Sequence, residues 1–225
     1  MTTRENQLIV AYANERKNLH AIDWCGQILA SGQNAEYRML GKDGRSATGN
    51  ADESSTSQEI QKELSSLQPE ILLTDWPTTQ NGETWLRFAL QENLRVVFIR
   101  WPDFSKIKRV LILSGGGIHV IRQLWIAQRT AEAYGSPAQV LQIIRSADDE
   151  VEAATETTRL QARMLGINAP LKIAYAPDIL SGLATQIEAD DLLVLGAPNH
   201  WRLSELFTFS LPERIAQQFS NPLMM

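Results

Sequence analysis

The sequence is poor in the residue types that mark disulfide-rich, metal-binding and membrane-spanning proteins. Its one cysteine, Cys25, excludes an internal disulfide and fits a reducing cytosol, so we expect it as a small buried residue of a helix. Its three histidines, His20, His119 and His200, lack the spacing of metal ligands. No stretch approaches the roughly 20 apolar residues of a membrane span, and the N-terminus lacks the basic start and apolar core of a signal peptide. We therefore expect a soluble, cytoplasmic chain.

Positive charge is also scarce. The chain has 21 Lys and Arg against 26 Asp and Glu, which gives a net charge of −5, and no basic stripe interrupts this balance. Nucleic acids and anionic membrane surfaces both favour clustered Lys and Arg. The composition therefore excludes nucleic acid as the main partner, while 44% hydrophobic residues in 225 can bury the core of one large domain or two small ones.

Short apolar runs alternate with helical patterns through the first half of the chain. The segment 41–57 has almost nothing to bury, so we predict a mobile insertion there, and its crowded Ser and Thr suit either a flexible linker or regulatory phosphorylation. Compared with a five-stranded unit of alternating strands and helices, this half lacks one strand and one helix, at the position of that insertion. The predicted strands are 8–12, 35–40, 69–77 and 94–100, and the predicted helices are 14–31, 58–67 and 84–93.

The same alternation starts again after a boundary near 103–108. The two halves align as an internal repeat. The sequence therefore predicts an α/β fold of two Rossmann-like parallel-sheet subdomains in tandem, 1–104 and 105–225. The predicted strands of the second half are 110–113, 139–144, 170–175, 192–195 and 223–225, and its predicted helices follow 114–117 and cover 147–164, 178–188 and 211–219.

Three tryptophans lie near the ends of the last two strands of the first half. We assign Trp85 to the local core by its helical spacing with Phe88. For Trp76 and Trp101, core packing and a place in a protein interface both remain open, because Trp is enriched at such interfaces.

A glycine turn joins the first strand of the second half to its helix. The backbone amides of Ser114, Gly115, Gly116 and Gly117 could cradle a phosphate at the helix N-terminus, with His119 as a second contact, but a glycine run also serves any tight turn of this kind. No catalytic grouping is found: the acids at 148–150 suit a helix start. We expect a protein that is not an enzyme and holds no metal.

The C-terminal tail carries the spacing of a known nucleotide-binding motif. This part of the chain resembles the universal stress protein family, whose signature is Gly, two residues, Gly, nine residues, Gly and then Ser or Thr before the last helix. Here the spacing is intact and the content is changed, since Asn199 and Phe209 replace the second and third glycines. The matching residues are Gly196, Asn199, Phe209 and Ser210, followed by Pro212, Glu213 and Arg214.

The resemblance implies a tandem stress-protein fold with a degenerate nucleotide site. In ATP-binding members the glycines admit backbone N–H groups to the triphosphate, and an Asp ends the first strand, where this chain has Ser114 and Gly115. We therefore expect no bound cofactor, with ATP or another nucleotide as the alternative, and name Gly196, Asn199 and Ser210 with 114–117 as the site. In this family the final edge strands pair, which here implies docking of the two halves through 94–100 and 223–225. A homodimer is expected, and a monomer that docks only internally is the alternative.

A second stretch resembles part of a transporter domain. The segment 68–77, the helix after it and the segment 94–101 are similar to the strand–helix–strand of the cytoplasmic C-terminal halves of cation–chloride cotransporters and amino-acid permeases. Those halves are tandem stress-protein-like domains that dimerise and regulate the transporter. The resemblance implies a non-catalytic regulatory and dimerisation module at the cytoplasmic face of a membrane, with its own transporter's membrane domain as a partner. The alternative is a free-standing tandem universal stress protein that binds a nucleotide.

Overall fold

The computed structural model describes residues 7–40, 53–76, 82–114, 120–146, 148, 150–196 and 210–225. The chain divides into two compact units, Met1–Phe104 and Ser105–Met225, called unit 1 and unit 2 here. Among the described residues, no helix is long and apolar enough to cross a membrane.

Unit 1 is a parallel sheet with helices in the connections between its strands. The strand order is β2-β1-β3-β4, and every pairing in it is parallel. A short 3-10 turn at Arg16–Asn18 precedes the first helix of the unit. Another at Pro102–Phe104 follows its last strand. The elements are β1 Leu8–Tyr12, α1 Leu19–Gln33, β2 Glu36–Leu40, α2 Glu53–Leu67, β3 Ile71–Asp75, α3 Gly82–Gln91 and β4 Arg95–Arg100.

Unit 2 repeats this design with one strand more. Its order is β9-β8-β5-β6-β7, again with parallel pairing throughout. The predicted α/β class of parallel sheets and connecting helices is confirmed. The elements are β5 Arg109–Leu113, α4 Val120–Tyr134, β6 Ala138–Arg145, α5 Glu150–Arg163, β7 Leu171–Ala176, α6 Ile179–Gln186, β8 Asp191–Leu195, α7 Leu211–Gln218 and β9 Leu223–Met224.

The helices bury the faces that their apolar spacing predicts. On α4, Val120, Leu124, Ala127 and Ala131 are all at most 3% exposed, at the helical spacing of four and three. Glycine allows two close helix–sheet contacts: a methyl group on Gly26 of α1 would overlap the ring of Tyr37. On α6, a methyl group on Gly182 would lie 2.8 Å from Ile143.

Trp85, Phe88 and Trp101 of unit 1 are core residues. Trp85 packs against Tyr12 and Phe88, with ring centroids 5.7 and 6.2 Å apart, as predicted. Trp101 has no exposed surface and lies edge-on to Trp24, so the interface alternative for Trp101 is wrong. Cys25 is buried on α1 as predicted, and burial raises the pKa of its thiol.

Two predicted boundaries differ from the structure. Residues 53–57, assigned to the mobile insertion, form the first turns of α2. Residues 41–52 lie outside the described part of the chain. The first helix begins at Leu19 and not at residue 14, because the backbone amides of Asn14 and Glu15 bind a side chain from β3.

Candidate functional site

Each unit has one position where neighbouring strands connect in opposite directions along the sheet. In unit 2 this position lies between β5 and β8, and in unit 1 between β1 and β3. In open parallel sheets the crevice at the carboxyl ends of these strands is where ligands bind.

The carboxamide of Gln123 occupies the crevice of unit 2. Gln123 projects from the first turn of α4 and is 7% exposed. Its Nε2 donates hydrogen bonds to the carbonyl oxygens of Leu113 on β5, at 2.8 Å, and Val194 on β8, at 2.9 Å. Because both partners are acceptors, the nitrogen of the amide must face the strands and the oxygen must face away. Gln123 thus contacts the ends of both strands at the crevice, which is where ligands bind in open parallel sheets.

Gly196 follows β8 and makes room for this carboxamide. A Cβ at this position would lie 3.1 Å from Oε1 of Gln123, which is tighter than ordinary contact. Gly135 and Gly166 are the described glycines with positive φ, and Gly196 is not one of them. The resemblance implies that a glycine at residue 196 admits a phosphate; in the structure, the side chain of Gln123 also lies close to this position.

The predicted site residues are only partly described. Ser114 is 7% exposed, and its N–H donates to the carbonyl of Leu141 at 3.1 Å, which extends the ladder between β5 and β6. Gly196 lies next to Ser114, since each follows one of the paired strands β5 and β8. The remaining predicted residues, Gly115, Gly116, Gly117, His119, Asn199 and Phe209, lie outside the described residues.

Ser210 is the N-cap of α7. Its Oγ accepts a hydrogen bond from the backbone N–H of Glu213 at 3.3 Å, so the hydroxyl stabilises the start of the helix. Since α7 follows β8, Ser210 lies at the carboxyl edge of the sheet, on the same side as Ser114 and Gly196. The resemblance places Ser210 in a nucleotide site; in the structure its hydroxyl caps α7.

A carboxylate fills the crevice of unit 1. Asp75, the last residue of β3, accepts through Oδ2 from the backbone N–H groups of Asn14, at 2.5 Å, and Glu15, at 3.3 Å. Its Oδ1 accepts from Nδ2 of Asn18 at 2.8 Å, and Oδ1 of Asn18 accepts from the N–H of Trp101 at 3.0 Å. These bonds join the turn after β1 to the ends of β3 and β4.

Burial governs the electrostatics of this crevice. Burial raises the pKa of Asp75, and the charge of Glu15 adds to this effect, while the hydrogen bonds from Asn18, Asn14 and Glu15 act against it. The pKa of Tyr12 is raised by its burial and then by the charge of Asp75. Sequence reasoning missed this network; the signal that could have found it is an aspartate at the end of an otherwise apolar strand.

Other chemistry is sparse in the part of the chain that the structure describes. There, no group of three His, Cys, Asp or Glu side chains could hold a metal ion. Asp148, in the predicted acidic helix start, instead binds Arg145 through an ion pair of 2.6 Å and accepts from its backbone N–H. The side-chain hydrogen bond from Arg145 lowers the pKa of Asp148.

Comparison with solved structures places the fold. A universal stress protein from Archaeoglobus fulgidus DSM 4304 matches with a TM-score of 0.54 and 12% sequence identity, over 96% of this chain and 94% of that chain. An ABC transporter solute binding protein from Burkholderia graminis C4D1M, in complex with D-arabinose, matches with a TM-score of 0.33 and 11% identity, over 98% of this chain and 76% of that chain. No family model matches the sequence, and no curated protein matches it significantly. The chain therefore has the Rossmann-like α/β fold that a universal stress protein also has.

Proposed function

We propose that this chain is a non-catalytic regulatory module that keeps the stress-protein fold without a consensus nucleotide site. The observation that carries the proposal is the position of Gln123. Its side-chain amide occupies the crevice at β5 and β8 and donates its N–H groups to the strand carbonyls. In the predicted motif, Asn199 and Phe209 replace the two glycines through which ATP-binding stress proteins admit phosphates. Each of these features leaves less space, or fewer N–H donors, for binding a triphosphate.

The first prediction is that the wild-type chain does not bind ATP tightly. Calorimetric titration with ATP and magnesium should give no more heat than dilution, because the crevice is filled by a protein side chain. A dissociation constant below micromolar would overturn the proposal. The variant Asn199→Gly/Phe209→Gly, which restores the glycines, should gain measurable binding if the motif's content and not its spacing limits affinity.

The finer proposal is that the module is the cytoplasmic domain of a membrane transporter of the cation–chloride cotransporter or amino-acid permease type. It is supported by the resemblance of 68–77 and 94–101, which correspond in the structure to β3 and β4. Its partner is then the membrane domain of the same transporter, at the cytoplasmic face. The reading frame that encodes the chain tests this: apolar spans upstream would support it, and a complete frame without them would contradict it.

The second prediction is that two copies of the chain associate. A regulatory module without a small ligand acts through protein contacts, and the transporter domains that it resembles dimerise. Light scattering at micromolar concentration should give twice the chain mass of 25.2 kDa. A mass that stays at that of one chain across a tenfold concentration range would reject the homodimer.

The alternative is a free-standing tandem stress protein that binds a nucleotide. Ser210 favours it, because this hydroxyl lies at the N-cap of α7, where the first-turn amides form the positive end of the helix dipole. The ATP titration separates the two functions. Adenine absorbance in the purified protein would favour the alternative as well.

A further inference from the structure

We propose that unit 1 contains an anion-binding cradle whose occupant is the carboxylate of Asp75, a ligand that the chain supplies to itself. The cradle consists of the backbone amides of Asn14 and Glu15 and the side-chain amide of Asn18. The class of ligand it takes is a small carboxylate. The cradle lies within unit 1, and its binding chemistry does not depend on the function proposed from unit 2.

The geometry of the donors is that of an anion site. Two successive backbone N–H groups, from Asn14 and Glu15, point at one oxygen of Asp75, at 2.5 and 3.3 Å. Successive amides in a turn make an anion-binding concavity. The third donor, Nδ2 of Asn18, approaches the other oxygen at 2.8 Å. Both carboxylate oxygens of Asp75 are therefore held by N–H donors.

The orientation of the third donor is fixed from outside the cradle. The N–H of Trp101 donates to Oδ1 of Asn18 at 3.0 Å, so this oxygen cannot turn toward Asp75. Asn18 is 2% exposed, so solvent water cannot replace Asp75 as the hydrogen-bond partner of its amide. The cradle thus presents N–H groups in a fixed direction and requires an acceptor opposite them.

Among the described residues, N–H dipoles and not a paired cation hold the anion. The charged and titratable groups of this part of the chain that interact with Asp75 are Glu15, Lys17 and Tyr12. Lys17 forms its ion pair with Glu15 at 2.9 Å, and both side chains are well exposed. Asp75 itself is 9% exposed, so a small anion in its place would be largely enclosed by protein.

The proposal predicts chemical rescue, which is the third prediction. Asp75→Ala removes the carboxylate and leaves its three donors unpaired, so the thermal midpoint should fall. Sodium formate should then raise the midpoint of this variant, by about 2–4 °C once formate exceeds its dissociation constant several-fold. Sodium chloride at equal ionic strength and neutral formamide are the reference additives, and wild type should show no formate-specific rise.

A second aspartate provides the matched control. Asp178 also accepts a backbone N–H through its carboxylate, from Ser181 at 3.1 Å, but it is exposed at the start of α6. Asp178→Ala leaves no enclosed space, so formate should not stabilise it beyond chloride. The cradle is rejected if formate shifts Asp75→Ala no more than chloride does, or shifts Asp178→Ala equally.

Hydrogen exchange of wild type covers the case in which Asp75→Ala does not fold in any buffer. The amides of Asn14 and Glu15 lie outside every helix and strand of unit 1, yet the cradle requires them to be bound. They should exchange much more slowly than the amides of an open turn. Exchange at the rate of an unstructured chain would overturn the proposal.

Discussion

Replacing Asp191 with leucine should lower the free energy of unfolding by about 3–5 kcal/mol, because the change leaves the guanidinium of Arg109 without its anion. Asp191 is 1% exposed and binds Arg109 through both oxygens, with Nε–Oδ1 at 3.0 Å and Nη2–Oδ2 at 2.5 Å. The ion pair lies at the amino ends of β5 and β8, the central strands of unit 2. The hydrogen bond from Arg109 to Asp191 raises the pKa of Arg109, so the arginine stays charged.

The neighbouring residues form a matched control for this change. Lys108 and Asp190 pair at 3.2 Å one position earlier on each segment, with side chains 67% and 50% exposed. Because exposed pairs are worth about 0–1 kcal/mol, Asp190→Leu should cost far less than Asp191→Leu. The double variant Arg109→Met/Asp191→Leu should recover part of the loss, since neither charge remains. Urea unfolding followed by circular dichroism measures all of these, and equal losses at 190 and 191 would contradict the account.

Replacing Trp101 with alanine should cost about 3–5 kcal/mol, as large-to-small changes in well-packed cores do. Trp101 has no exposed surface and contacts the rings of Trp24 and Phe104, at centroid distances of 5.9 and 4.8 Å. The backbone N–H that donates to Asn18 is kept in the variant, so the loss reports the ring alone.

Two further substitutions sharpen this measurement. Trp101→Phe keeps an aromatic ring and should cost clearly less than Trp101→Ala. Trp24→Ala removes the half-buried partner ring and should also cost less, because less apolar surface returns to water. If Trp101→Ala unfolds at the same urea concentration as wild type, Trp101 is not a core residue and the interface alternative returns.

The strands and the fold class were predictable because their signal is local. A parallel strand buried on both faces is a short apolar run, and β8, the run at Asp191–Leu195, is buried throughout. The buried face of α4 likewise follows from the spacing of its own apolar residues. These patterns require no knowledge of what lies across the fold.

The contents of the two crevices were not predictable because they depend on distant partners. Gln123 binds Val194, 71 residues away, and nothing in the sequence around either residue signals the contact. Asp75 binds Asn14 across 61 residues, and this same contact displaces the start of α1 from the position that helical spacing predicts. Gly196 matches a glycine of the phosphate motif, but in the structure a larger residue there would crowd the side chain of Gln123.

The side-chain amide of Gln123 offers the most direct measurement of the central claim, that the chain fills its own crevice. In an NMR spectrum of wild type transferred to D2O, the two Nε2 protons of Gln123 should persist at least about tenfold longer than those of an open side chain. Gln128 on the same helix is the internal reference, because its Nε2 binds Glu132 in an exposed position. Gln123→Glu, which removes these protons, assigns the signal. The account predicts slow exchange at Gln123 and fast exchange at Gln128; equally fast exchange at both would show that Gln123 leaves the crevice open and would contradict it.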